Sequence, residues 1–159
     1  MSEVYLLLGS NMGSRPGFIK EALTELERSC GRIMAESSFY ETAAWGKEDQ
    51  PAFINLVVCI QTTLTPLELL SAIQIIENVA GRQRDQKWGQ RTLDIDILLY
   101  SEEIIDLPEL KIPHPFMQDR RFTLVPLAEI APELLHPILK KTMLQLLAAC
   151  PDKLDVKRL

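Results

Sequence analysis

The stretch FINLVVCIQTT, residues 53–63, decides the architecture of this 159-residue chain. Apolar and β-branched residues fill both of its alternating faces, a pattern suited to a strand covered on both sides, so it is expected at the centre of a sheet. Just after it, Thr65 stands as an N-cap, Pro66 at the first helical position and Glu68 at the third, with Leu69, Ala72, Ile73 and Ile76 on one stripe. This predicts a capped amphipathic helix ending at Gly81. Residues 92–100, TLDIDILLY, alternate cleanly and read as a further strand.

Toward the N-terminus, residues 33–40 also alternate and predict one strand. Before them Ile19, Ala22, Leu23 and Leu26 fall at i, i+3, i+4, i+7, a helix running to about Arg28 with Gly31 beyond its end. The apolar run 4–9 is a first strand entering the turn GSNMG. The order strand, helix, strand, strand, helix, strand predicts an α+β fold, a ferredoxin-like βαββαβ core whose antiparallel sheet carries packed helices. Beyond Ser101 the elements shorten into a C-terminal extension of short strands and helices. Residues 104–105 and 110–112 read as a hairpin around Leu107-Pro108, and 122–130 and 142–149 as helices.

Length and composition fit a single domain over 1–159. With 17 Lys+Arg against 22 Asp+Glu the net charge is −5, which disfavours general attraction to nucleic acid or anionic lipid. An anionic ligand therefore needs a local basic cluster. Three dispersed cysteines and two histidines supply neither a disulfide framework nor a zinc-ligand set, so a reducing compartment is expected. The run 4–9 is too short for a signal peptide, Glu3 precedes it, and no run reaches membrane-span length. The expectation is a cytoplasmic monomer that engages neither nucleic acid nor membrane.

The sharpest local feature is Asp94-Ile95-Asp96. Both carboxylates leave the same face of a strand, about 6.6 Å apart along it, while Leu93, Ile95 and Ile97 pack on the other. An edge strand turning polar residues to water has the same pattern, but aspartate is poor in strands and metal ligation gives it a reason. The preceding loop puts Arg82, Arg84, Lys87 and Arg91 within ten residues against the single Asp85. Arginine forks grip phosphate and paired divalent ions align a polyphosphate, so loop and acidic pair together read as a nucleoside-triphosphate site. Trp88-Gly89 in that loop, and Trp45-Gly46 in the polar loop 42–51, suit lids that close over a planar ligand. Asn55, an amide within the apolar strand, can read the donor and acceptor edge of a heterocycle, although a structural amide would look the same. His114 can donate to a phosphate, whereas His136 and Cys59 read as structural.

These residues, taken together, resemble the 6-hydroxymethyl-7,8-dihydropterin pyrophosphokinase family. The likeness is carried by Arg82-x-Arg84 and Trp88-Gly89-Gln90-Arg91-Thr92-Leu93-Asp94-Ile95-Asp96-Ile97. It extends to Gly9-Ser10-Asn11-x-Gly13, Ser38-x-Tyr40-x-Thr42, Gln50-Pro51-x-Phe53-x-Asn55, Ile112-Pro113-His114-Pro115 and Pro126-Leu127-x-Glu129-Ile130-Ala131-Pro132. After Cys150 no marker is found. The resemblance implies pyrophosphate transfer from ATP to the pterin hydroxymethyl group, leaving AMP, in folate biosynthesis. It implies that Asp94 and Asp96 hold two Mg²⁺ ions and that Arg82 and Arg91 are catalytic contacts to the triphosphate. Gln74, Glu77, Arg84, His114 and Arg120 match ATP-side positions, and Thr42, Ala43, Trp45, Phe53, Asn55, Trp88 and Phe122 match the pterin side. Asp96 is the candidate weak base for the attacking hydroxyl.

Two other classes share parts of this pattern. Polymerase-β-type nucleotidyltransferases also pair a Gly-Ser with an Asp-x-Asp, but about a dozen residues apart, whereas here the interval is 94 − 9 = 85 positions. RNA-binding modules share the βαββαβ order, but the chain has no aromatic-rich RNP strand and its charge is −5.

Overall fold

The central strand is β4 (Phe53–Thr62), whose residues 54–60 are all buried. In this computed structural model residues 1–10, 15–42, 52–82 and 93–159 are described, without the side chains of residues 15, 81 and 82. The elements that surround β4 are β1 (Ser2–Ser10), α1 (Arg15–Ser29), β2 (Arg32–Glu36), β3 (Tyr40–Thr42), α2 (Pro66–Arg82) and β5 (Asp94–Tyr100). After them come the hairpin of β6 (Ile105–Asp106) and β7 (Lys111–Ile112), then α3 (Arg121–Ile130), α4 (Met143–Ala148) and β8 (Val156–Arg158). The main sheet runs β5-β1-β4-β3-β8, with β2 also paired to β4, and every pairing in it is antiparallel. Mixed helix and antiparallel sheet is thus the architecture.

Each face of the sheet has its own core, because successive side chains of a strand alternate. Val4, Leu6 and Leu8 of β1 and Leu56, Val58 and Ile60 of β4 face one way and meet Ile19 and Leu26 of α1 and Leu69 and Ile73 of α2. Leu7 and Val57 face the other way and pack with Leu124 and Leu127 of α3, Met143 and Leu146 of α4, and Met117. An extra residue in β5 opposite the Tyr5/Leu6 step keeps Leu98 and Leu99 both in this second core.

Helix α2 carries its cap as read: Thr65 N donates to Glu68 Oε1 (2.8 Å) and Glu68 N to Thr65 Oγ1 (3.2 Å). It passes Gly81 and includes Arg82, so Gly81 is not its terminator. Gly31 follows α1 because space requires it: a Cβ there would lie 2.3 Å from the Gln61 carbonyl oxygen.

The single strand expected at 33–40 is two, β2 and β3. Ser37 Oγ accepts from Val57 N (2.9 Å), taking the place a backbone carbonyl would have in the ladder. Ser38 turns away to α3, where its N donates to Glu129 Oε1 (2.9 Å) and its Oγ to Glu129 Oε2 (2.8 Å). The chain then rejoins β4 at Tyr40, opposite Asn55. A second departure is β8, which pairs with β3 so that the end of the chain belongs to the main sheet.

Candidate active site

Strand register assembles the site. On the α3 side of the sheet, Gly9 of β1 lies opposite Asp94 of β5 on one flank and Asn55 of β4 on the other. With strands ~4.8 Å apart, the Asp94 and Asn55 backbones lie about 10 Å from each other across a residue that has no side chain. Asp96 is opposite Leu7, and Thr42 of β3 opposite Phe53. These residues line one cavity of about 370 Å³. Its remaining walls are Arg120 and Phe122, at the start of α3, and Leu154, from the segment before β8.

One polar atom of the cavity, the Thr42 hydroxyl, lacks the partner that a buried group normally has. Thr42 is 4% exposed and its Oγ1 has no hydrogen-bond partner among the described residues. Asn55 is 5% exposed within an otherwise apolar strand. A Cβ at Gly9 would stand 2.5 Å from Asn55 Oδ1, so glycine is what leaves that amide its place. Buried polar atoms left unpaired are costly, and a ligand that supplies donors and acceptors relieves the cost.

Asp94 and Asp96 are partly buried, while Ile95 and Ile97 on the opposite face are 5% exposed, so the acidic pair rides on a packed support. Glu77 of α2 accepts the Ile95 N–H at 2.8 Å, tying that helix to the strand between the two carboxylates. Among the described residues no third His, Cys, Asp or Glu joins the pair in a ligand cluster. Two strand carboxylates fit Mg²⁺, which keeps several waters and shares its shell with substrate phosphates rather than requiring an all-protein cage.

His114 follows the cis Ile112–Pro113 bond, its N donating to Leu98 O (2.9 Å). Its Nδ1 accepts from Phe116 N (3.2 Å), so the neutral ring carries its proton on Nε2, as a donor. Burial lowers the imidazole pKa, Asp96 pulls it back up and Arg120 lowers it further, so the neutral form is favoured. Arg120 lies over two rings, 5.3 Å from the Phe116 centroid and 5.7 Å from that of Phe122, stacking that steers its charge toward the cavity wall.

Of the expected site residues, Thr42, Phe53, Asn55, Asp94, Asp96, Arg120 and Phe122 come together around the cavity. Glu77 and His114 are tied to β5 through Ile95 and Leu98. Gln74 is exposed on α2 and does not line the cavity. Ala43, Trp45, Arg84, Trp88 and Arg91 lie outside the described residues, as does the Arg82 side chain. His136 is structural as expected: its Nδ1 accepts from Ile138 N (3.2 Å) and Leu139 N (3.1 Å). The cavity also draws on Leu7, Gly9 and Leu154, which sequence reading did not select as site residues. Gly9 was within reach of it, because the residue directly before Ser10-Asn11 ends an apolar strand.

Comparison with known proteins shows the family to which the chain belongs. Residues 5–132 match the sequence profile of the 7,8-dihydro-6-hydroxymethylpterin-pyrophosphokinase family. Similar proteins include the 2-amino-4-hydroxy-6-hydroxymethyldihydropteridine pyrophosphokinases of Pseudomonas aeruginosa, 47% identical over 95% of this chain and 93% of that one, and Aquifex aeolicus, 46% identical over 90% and 89%. In fold the chain is similar to wild-type Plasmodium falciparum HPPK-DHPS solved with pteroate, with a TM-score of 0.77 at 20% identity. That match covers 93% of this chain and 42% of the Plasmodium chain, so this chain spans less than half of that protein.

Proposed function

The chain belongs to the 7,8-dihydro-6-hydroxymethylpterin-pyrophosphokinase family, and from that premise we propose that its chemistry takes place in the cavity between Asp94 and Phe122. The enzyme transfers pyrophosphate from ATP to the hydroxymethyl group of 6-hydroxymethyl-7,8-dihydropterin, giving AMP and the pterin diphosphate, in folate biosynthesis. The observation that carries the assignment of the cavity is the row Asp94–Gly9–Asn55, which sets a phosphate-side carboxylate and a heterocycle-reading amide at the two ends of one space.

In this reading the pterin edge is held by the Asn55 amide and the Thr42 hydroxyl, and its face lies on Phe122. Asp94 and Asp96 would hold two Mg²⁺ ions, which would neutralise and align the triphosphate. His114 Nε2–H and Arg120 donate to phosphate oxygens, and Arg82, Arg84 and Arg91 join them by family resemblance. Glu77 keeps β5 in register with α2, with Gln74 beside it on the helix. Ala43, Trp45 and Trp88 complete the pterin side. Asp96 accepts the proton of the attacking hydroxyl as its oxygen bonds to the β-phosphorus and the bond from that phosphorus to the α-phosphate oxygen breaks, releasing AMP. Positioning and fixed charge supply most of the acceleration. The sheet order, with β1 and β4 between β5 and the β2/β3 pair, supports the ferredoxin-like reading of the core. Three dispersed cysteines without a disulfide framework support the reading of a cytoplasmic enzyme, taken here as a monomer with the one domain 1–159.

The test is the nucleotide product. With ATP, Mg²⁺ and hydroxymethyl-dihydropterin, AMP should form one-for-one with pterin diphosphate; ADP with pterin monophosphate would overturn the reading. Asp94→Ala and Asp96→Ala should each lower turnover at saturating Mg²⁺ by about a thousandfold or more while keeping the thermal midpoint. Turnover at the unsubstituted rate would remove the metal assignment.

A further inference from the structure

The segment after Cys150 carries no family marker, yet it forms part of the cavity wall through Leu154. We propose that Leu154 is a substrate-contact residue that sets selectivity for the pterin ring, held in place by Asp152 as a positioning residue; this rests on the reading of the cavity as the pterin site.

Leu154 is fixed from both sides. Asp152 Oδ1 accepts the Leu154 N–H at 2.9 Å, and Asp152 Oδ2 accepts the Arg121 N–H at 3.0 Å. Arg121 is the first residue of α3 and stands between Arg120 and Phe122, both of which line the cavity. One carboxylate thus caps the helix that presents Phe122 and spaces Leu154 from it. Two residues past Leu154, Val156 enters β8 opposite Thr42, and Leu159 N donates to Phe39 O at 3.0 Å. The polar edge of the ligand is taken by Asn55 and Thr42. A leucine can only exclude water and match shape, so its complement is the C–H-bearing part of a bicyclic heterocycle. No phosphate group gains from this contact, so ATP affinity should be indifferent to it.

Titration of 6-hydroxymethylpterin and, separately, of a non-hydrolysable ATP analogue into the full chain distinguishes the outcomes. Leu154→Ala should weaken pterin binding about tenfold and leave the ATP analogue within about twofold, while Leu154→Met, which keeps apolar bulk, should recover most of the loss. Asp152→Ala should raise the pterin KM with kcat nearly unchanged, since it loosens a wall and touches no reacting atom. Unaltered pterin affinity in Leu154→Ala would overturn the inference alone. Equal loss of both ligands would also overturn it, marking the segment as a general support. An unsubstituted protein that binds the ATP analogue but no pterin would remove the underlying reading with it.

Discussion

The two ends of β4 each meet a glycine and put it to opposite uses. At the Thr62 end, Gly31 lets the chain leaving α1 pass so close that a Cβ would sit 2.3 Å from the Gln61 carbonyl oxygen. The buried hydroxyl there is satisfied: Thr62 Oγ1 donates to Cys30 O (2.6 Å) and accepts from Leu64 N (3.0 Å). At the Phe53 end, Gly9 instead makes room for the Asn55 side chain, and the buried hydroxyls of Thr42 and Ser10 have no partner among the described residues. One end spends its polar residues on closing the fold. The other leaves buried hydroxyls unmatched among the described residues, and the acidic pair and Phe122 line the cavity at that end.

Exchanging the two glycines for alanine is the strongest way to break this contrast. Gly31→Ala pushes a methyl into backbone that cannot yield, so it should cost about 3 kcal/mol and lower the thermal midpoint by roughly 6–12 °C, seen by calorimetry. Gly9→Ala meets the end of a side chain, so the midpoint should change little while the displaced Asn55 lowers pterin affinity about tenfold.

A smaller effect is expected between the two ends, where the link from β2 to β3 is tied to α3. The Glu129 carboxylate accepts from Ser38 N, Ser38 Oγ and Tyr40 OH, with Arg158 at 3.7 Å. Burial raises the Glu129 pKa, but the Ser38 and Tyr40 hydrogen bonds and Arg158 outweigh it and leave it below the usual carboxylate range. A depressed carboxylate stabilises the fold above its unfolded pKa and loses that contribution as pH falls through its folded value. Glu129→Ala should cost about 1–3 kcal/mol at pH 7. Glu129→Gln, which can make all three hydrogen bonds with the one at Ser38 Oγ reversed, should lose little at pH 7 and show a flatter decline of midpoint below about pH 5. In alkali the neighbouring Tyr40 acts in the other direction. Burial and Glu129 push its pKa up to about 12, so stability should fall as pH rises from about 10 toward that value.

The smallest change is Thr42→Val. It removes a buried hydroxyl that has no partner, so stability should hold or rise slightly, whereas pterin affinity should fall about threefold to tenfold. A drop in stability without loss of binding would mean that the hydroxyl serves the fold after all.

How much of this was legible follows from where the causes lie. The centrality of residues 53–62, the capping box at Thr65 and the same-face pair Asp94 and Asp96 are local patterns, and local patterns can be read. The break at residues 37–39 is caused by Glu129, some ninety positions away, and the alternation of residues 33–40 gives no sign of it. Gly9 acts by lacking atoms, and its value emerges only when register sets it beside Asn55. Leu154 and β8 come from a stretch whose alternation, Lys153 to Lys157, is only five residues long, and they are placed by Asp152 and by pairing with β3. Residue types that carry charge or aromatic faces disclose themselves, while residues that act by shape or by absence need the fold to be seen.

The division of β4 is tested most directly by measuring pterin affinity and thermal midpoint together on two variants, Asn55→Ala and Thr62→Ala. The account predicts a crossed result: Asn55→Ala loses affinity by about tenfold or more at a nearly unchanged midpoint, and Thr62→Ala loses about 1–2 kcal/mol of stability with affinity retained. If both variants lost affinity and stability in proportion, the two ends of the strand would serve one purpose, and the assignment of the Phe53 end as the ligand site would be contradicted.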